Sequence, residues 1–107
     1  MNLPSPIQAY FDADKHGNEA AMAQAFAPDA VVKDEGHAYA GTQAIIAWWH
    51  ETKEKYRTVL EPLEMNEEDG AITVRAMATG QFPGSPAMLA FLFRLESGRI
   101  SHLEIGA

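Results

Sequence analysis

The chain has 107 residues, 47% of them hydrophobic, and a formal net charge of −7. That length suits one domain, residues 1–107, with a full core, and the acidic balance repels both nucleic acid and anionic membrane. With no cysteine, disulfides and thiolate chemistry are excluded, and a zinc site would need histidine and carboxylate ligands alone.

No apolar run approaches the roughly 18 residues of a membrane span. Met1-Asn2-Leu3-Pro4-Ser5-Pro6 lacks the basic and apolar regions of a secretion signal, so a cytoplasmic location is expected. Ser5 can cap a first helix with Pro6 at its first turn. Ile7, Tyr10, Phe11 and Asp14 then recur at helical spacing, and Gly17 supplies the stop. Asn18 caps a second, shorter helix with Met22, Ala25 and Phe26 on its apolar side, ended by Pro28-Asp29. Ala30 to Asp34 reads as a short strand, followed by a glycine turn at Glu35-Gly36. Thr42 caps a third helix, roughly residues 43–55, with Ile45, Trp49, Thr52 and Tyr56 along one side and Trp48 beside them.

From Arg57 the pattern becomes strand-like. Thr58 to Met65 is interrupted by Pro62, which cannot donate to a ladder and marks an edge or a bulge. Asp69-Gly70 turns the chain, Ala71 to Phe82 and Ala87 to Glu96 flank a Pro83-Gly84-Ser85-Pro86 turn, and Ser97-Gly98 leads into Arg99 to Ile105. Three helices and one early strand before a meander predict an α+β fold, with the helices packed on one face of a curved, mostly antiparallel sheet. Partial cover of a concave sheet leaves a cone-shaped apolar pocket open at one end. Leu89, Phe91, Phe93 and Leu95 share one face of their strand, and Met88, Ala90, Leu92 and Arg94 the other. Both faces are largely apolar and need cover. One can line the pocket, and the other predicts a homodimer through the sheet.

Asp34 ends a strand beside an aromatic helix. A carboxylate at the rim of an apolar hollow resists ionisation and can act as a base near neutral pH. The competing reading is a turn aspartate that caps Glu35-Gly36. Strand parity places only one of Asp34 and Glu35 inward, and Asp34 is preferred, with Lys33 and Glu35 outside. Adjacent helix residues point about 100° apart, so Trp49 is expected to line the pocket and Trp48 to pack against the sheet or a partner. Asp14, four residues after Tyr10, is expected to be solvated near its helix end. His37 and His102 could approach Asp34, but no His-x-x-x-His spacing exists and no metal site is expected. His102 and Glu104 are expected to face outward, and Ser101, Leu103 and Ile105 inward.

Several segments resemble the nuclear transport factor 2-like superfamily, in its SnoaL-like and ketosteroid-isomerase-like branch. They are Gln8-Ala9-Tyr10-Phe11, His16-Gly17-Asn18, Phe26-Ala27-Pro28-Asp29-Ala30-Val31-Val32 with Asp34, Gly41-Thr42-Gln43-Ala44-Ile45, and Phe93-Arg94-Leu95. The resemblance runs through the whole chain and implies the NTF2-like, cystatin-like roll. It also implies Tyr10 as donor to a forming oxyanion and Asp34 as general base, with Trp49 and Phe26 supporting. The isomerases carry a second, acidic donor where this chain has Phe91. Loss of one such donor costs about 2.7–4 kcal/mol of transition-state stabilisation.

The expected function is proton transfer next to a carbonyl of a small apolar molecule, as in an isomerase or lyase of ketosteroid-isomerase or polyketide-cyclase type. No cofactor is needed. Asp34 and Tyr10 are the candidate catalytic residues, and Phe11, Phe26, Trp49, Tyr56 and Phe91 the candidate substrate-binding residues. The alternative is a hydrophobic ligand-binding or dimerisation module of the same fold without turnover.

Overall fold

The computed structural model describes residues 1–107 as three helices and one six-stranded sheet. Helix α1 (Ser5–His16) starts from Pro4, with Pro6 in its first turn, and Ser5 makes no side-chain cap. Gly17 closes it in the left-handed conformation (φ 64°), its amide returning to the Ala13 and Asp14 carbonyls. Asn18 caps helix α2 (Glu19–Ala25) by accepting from the Ala21 amide at 3.1 Å. Strand β1 (Phe26–Asp34) begins directly after it. Phe26, expected in the second helix, is therefore a strand residue, and Pro28-Asp29 lies within the strand. Proline is tolerated there because the pairing of β1 with its neighbour is irregular between Phe26 and Val31.

A further strand with no counterpart in the sequence pattern, β2 (His37–Ala40), folds back on β1 through Glu35 and Gly36, both at positive φ (51° and 78°). Helix α3 (Thr42–Tyr56) is preceded by Gly41 rather than capped by Thr42. Strands β3 (Val59–Glu68), β4 (Ala71–Thr79), β5 (Ala87–Glu96) and β6 (Arg99–Gly106) form the meander. Register slips at Leu63, between the Pro62 and Glu64 pairs, so Pro62 sits on an edge strand and beside a bulge.

The sheet order is β2-β1-β6-β5-β4-β3. β1 runs parallel to β6, and every other pair is antiparallel. The helices cover one face. There Tyr10 and Phe11 of α1 meet Phe26, Phe91 and Phe93, largely edge to face, with ring centroids 5.5–6.2 Å apart. Ile7, Met22, Val32, Ile45, Ile100 and Leu103 complete a fully buried centre. No helix is long and apolar enough to cross a membrane.

Gly80, just past β4, lies against the end of α3. A Cβ there would stand 2.6 Å from the Tyr56 carbonyl oxygen and 3.2 Å from the Thr58 Cα, both backbone atoms that cannot swing away. Gly80→Ala is expected to cost about 1–3 kcal/mol, as forced overpacking does, and thermal melts of the two proteins check it.

Candidate functional site

The cover left by the three helices is incomplete, and a cavity of about 590 Å³ remains between α1, α3 and the sheet. Helix α3 contributes most of one wall. Trp48, Trp49, Thr52, Lys53 and Tyr56 all line it. These are positions i, i+1, i+4, i+5 and i+8, a face broad enough to hold both indoles. Trp48, expected to point elsewhere, thus belongs to the pocket together with Trp49. Across from them stand Leu60 of β3, Ala78 of β4, Leu89 and Phe91 of β5, and Ile105 of β6. Phe82 and Pro83, from the turn after β4, lie at the rim, and the Phe82 ring meets Tyr56 edge-on at 6.1 Å.

Two polar groups enter this apolar space. Asp34, at the end of β1, is half-buried and lines the cavity. Its Oδ2 accepts from the Trp48 indole at 3.0 Å. Burial pushes its carboxyl above the ordinary aspartate value and the neighbouring Glu35 adds to the rise, while hydrogen bonds from Trp48 and from the Glu35 backbone favour the charged form. Asp34 thus both bonds the turn at Glu35 and lines the pocket. Trp48→Phe removes a bond made to the ionised carboxylate, so the Asp34 titration is expected to move further upward, measured by NMR at the side-chain carboxyl carbon.

Tyr10 is the second group. Its ring is buried, and its phenol is held well above the usual tyrosine value, by burial first and then by the charges of Asp14 and Asp34. It is an O–H donor at any working pH. No fully enclosed side-chain oxygen or nitrogen lacks a partner. The Tyr10 hydroxyl has no partner in the chain, so it opens onto the cavity it lines.

Asp14 is the unexpected member of the wall. Expected in solvent, it is buried, with Oδ1 accepting from the Trp49 indole at 2.9 Å and Oδ2 from Lys53 at 3.3 Å. Lys53 also donates to the Thr58 carbonyl. A buried carboxylate needs such partners, because unpaired it would cost several kcal/mol. The signal was present as two i, i+4 pairs, Tyr10 with Asp14 and Trp49 with Lys53, but nothing local says that these two helix faces meet.

Of the residues expected to bind substrate, Trp49, Tyr56 and Phe91 line the cavity. Phe11 and Phe26 do not. Their rings are 5% and 1% exposed and fill the aromatic core behind Tyr10. Glu35, expected outside with Lys33, instead reaches the mouth and accepts from the Tyr56 hydroxyl at 3.0 Å, because the positive φ of its turn swings it back. His102 bonds Glu104 at 3.1 Å on the outer face. Ile105 faces inward, whereas Ser101 sits at a register shift of β6 and bonds the Arg94 carbonyl. Asp34, His37 and His102 do not gather into a three-ligand cluster.

Residues 7–103 match the SnoaL-like domain family. Among solved structures, a candidate polyketide cyclase from Sinorhizobium meliloti is 44% identical, with a TM-score of 0.94 over 97% of this chain and 95% of that one. A Catenulispora acidiphila protein of ketosteroid isomerase-like fold, crystallised with trimethylamine, is 20% identical (TM-score 0.84, covering 99% and 87%). A cystatin-fold protein from Novosphingobium aromaticivorans is 14% identical (TM-score 0.78, covering 100% and 99%). No curated protein matches the sequence.

Proposed function

We propose, from the premise that this chain belongs to the SnoaL-like domain family, that it catalyses proton transfer next to a carbonyl of a small apolar substrate. The observation that carries the reading is the meeting of Asp34 and Tyr10 in one apolar cavity. Asp34 offers a carboxylate made more basic by its surroundings, and Tyr10 a hydroxyl with no partner in the chain. Asp34 takes the proton from carbon. The electron pair left behind moves into the new C=C bond, and charge collects on the carbonyl oxygen, where Tyr10 donates. Trp49, Tyr56 and Phe91 hold the apolar body. The description of the 44%-identical neighbour as a candidate polyketide cyclase is compatible with this step, since cyclisation of a polyketide also begins with a carbanion beside a carbonyl.

The step can be tested without knowing the product. Apolar ketones incubated with the protein in D2O are expected to take up deuterium beside the carbonyl faster than in buffer, read by mass spectrometry. A panel of cyclic and aromatic ketones that exchange no faster than in buffer, yet bind, would favour the second reading, a ligand-binding module without turnover. Phe91, standing where the resemblance places an acid, is the observation on that side.

The outer face of the sheet supports a homodimer. Met77 and Met88 pair across β4 and β5, and with Ala90 and Leu92 they form a half-exposed apolar strip. Arg75, paired with Glu64, and Glu104, beside Lys33, border it. Such a strip on a two-fold axis is self-complementary. Sedimentation is expected to give a dimer, and Leu92→Glu a monomer.

A further inference from the structure

Lys53 is the one cation among the residues that line the cavity, against the carboxyl groups of Asp14, Asp34 and Glu35. Its ammonium carries three N–H donors. One is directed to Asp14 Oδ2 at 3.3 Å and one to the Thr58 carbonyl, and the chain offers no acceptor for the third. The side chain is 28% exposed, and Lys53 lines the cavity. Its position is fixed from both ends. Asp14 is itself held through its other oxygen by Trp49, and the Thr58 carbonyl belongs to the backbone that leaves α3.

Tyr10 stands one helical turn before Asp14 on α1, and its hydroxyl is likewise without a partner in the chain. Two donors not used by the fold therefore flank Asp14 on the same wall, one neutral and one charged. Phe91 supplies no donor from the sheet side. The charge balance narrows the ligand further. Three carboxyl groups against one ammonium repel a ligand that arrives as an anion. They admit a neutral molecule whose oxygen gains charge only as Asp34 takes its proton and becomes neutral.

We propose that Lys53 is the second donor to the oxyanion, beside Tyr10, and that the substrate is a neutral carbonyl compound, not a carboxylate. This rests on the proton-transfer reading above and adds the group that compensates for Phe91. In the balanced step the C–H bond breaks and its proton goes to an Asp34 oxygen. The carbon electron pair forms the C=C bond, and the carbonyl π pair settles on the oxygen held by Tyr10 and Lys53. Preorganised, charge-assisted donors of this kind act most strongly on an oxygen that is gaining charge.

The test uses 4-nitrophenol, whose neutral and ionised forms differ in visible absorption, and the Asp34→Asn protein, which is uncharged at position 34 as the aspartate is after proton transfer. Bound nitrophenol is expected to ionise at a pH below its value in buffer. Adding Lys53→Gln is expected to return the bound probe toward its neutral form and weaken binding roughly tenfold or more, the range for a hydrogen bond to a charged group. Lys53→Arg is expected to keep the ionised form. If Lys53→Gln does not fold, Asp14→Asn with Lys53→Met leaves no buried charge unpaired, and the same loss is expected there. Unchanged affinity and absorption in these variants would reduce Lys53 to a structural tie and leave the Asp34 reading standing. A 2-naphthoate bound more tightly than 2-acetylnaphthalene would overturn the choice of a neutral ligand. Failure of nitrophenol to bind the Asp34→Asn protein at all would overturn the inference, and deuterium uptake by the wild-type protein, which needs no phenol, decides separately whether the proton-transfer reading falls with it.

Discussion

Replacing Asp34 by asparagine is expected to lower the rate of deuterium uptake by about 10²–10⁴-fold, the usual contribution of a positioned base, while leaving the protein at least as stable at neutral pH. The second half follows from linkage. Burial raises the Asp34 carboxyl above its unfolded value, so folding favours the protonated form. The stabilising contribution is complete below the unfolded value and is lost as pH rises through the folded one. Above the folded value the native protein carries a charge that burial disfavours, and the Asp34→Asn change removes that cost. The wild-type rate is expected to rise with pH through an inflection above that of a free aspartate. Denaturant titrations and rate profiles of both proteins check the two halves independently. An Asp34→Asn protein that still exchanges at the wild-type rate removes Asp34 from the mechanism, and one that unfolds gives the residue a structural role.

Phe26→Ala is expected to remove about 3–5 kcal/mol of stability, the range for deleting a buried aromatic ring, out of a total that for a domain of this size is on the order of 5–15 kcal/mol. The ring is 1% exposed and stands edge-on to Tyr10 at 6.0 Å. The void would open behind the hydroxyl-bearing ring rather than in the pocket. Ligand contacts are not removed by the change, so affinity measured well below the melting temperature is expected to fall little. Phe82→Ala is the counterpart: half-buried at the rim, it is expected to weaken ligand binding and to alter the melt only slightly. Urea unfolding with parallel tryptophan-quenching titrations separates the two residues, since both tryptophans line the cavity. A Phe26→Ala protein of normal stability but poor affinity would return Phe26 to the binding surface.

The parts of this molecule that were legible in its sequence are those decided locally. Gly17, Gly70 and Gly98 all adopt positive φ where turns are read, and the alternation of β5 groups Phe91 with Phe93, on the face that the helices bury. Asp34 has a local signature as a strand-end carboxylate beside an aromatic helix, whereas Tyr10 is singled out only by the family resemblance, and both line the cavity. What escaped was decided by packing between distant elements. Asp14 looks like an ordinary solvated helix-end residue until Trp49 and Lys53, on α3, close over it. Adjacent helix residues point about 100° apart, which by itself directs Trp48 away from the pocket, but a cavity wide enough to span more than a quarter turn of helix receives both indoles. Phe26 has the apolar spacing of α2, and only the pairing of β1 with β6 draws it into a strand. β2 is four residues long with mostly exposed positions, so it carries no periodicity to read.

The parallel contact between β1 and β6 joins residues 26–33 to residues 100–104. Such a pairing closes a long loop before it gains any hydrogen bonds, and the entropy of that closure slows folding. During synthesis the N-terminal helices and the β1–β2 hairpin must wait, with an unpaired strand edge exposed, until β6 emerges to fill the gap between β1 and β5. The cup that holds Asp34 is thus among the last features to be completed, and a nascent chain shortened within β6 would be a candidate for chaperone capture rather than a smaller working protein.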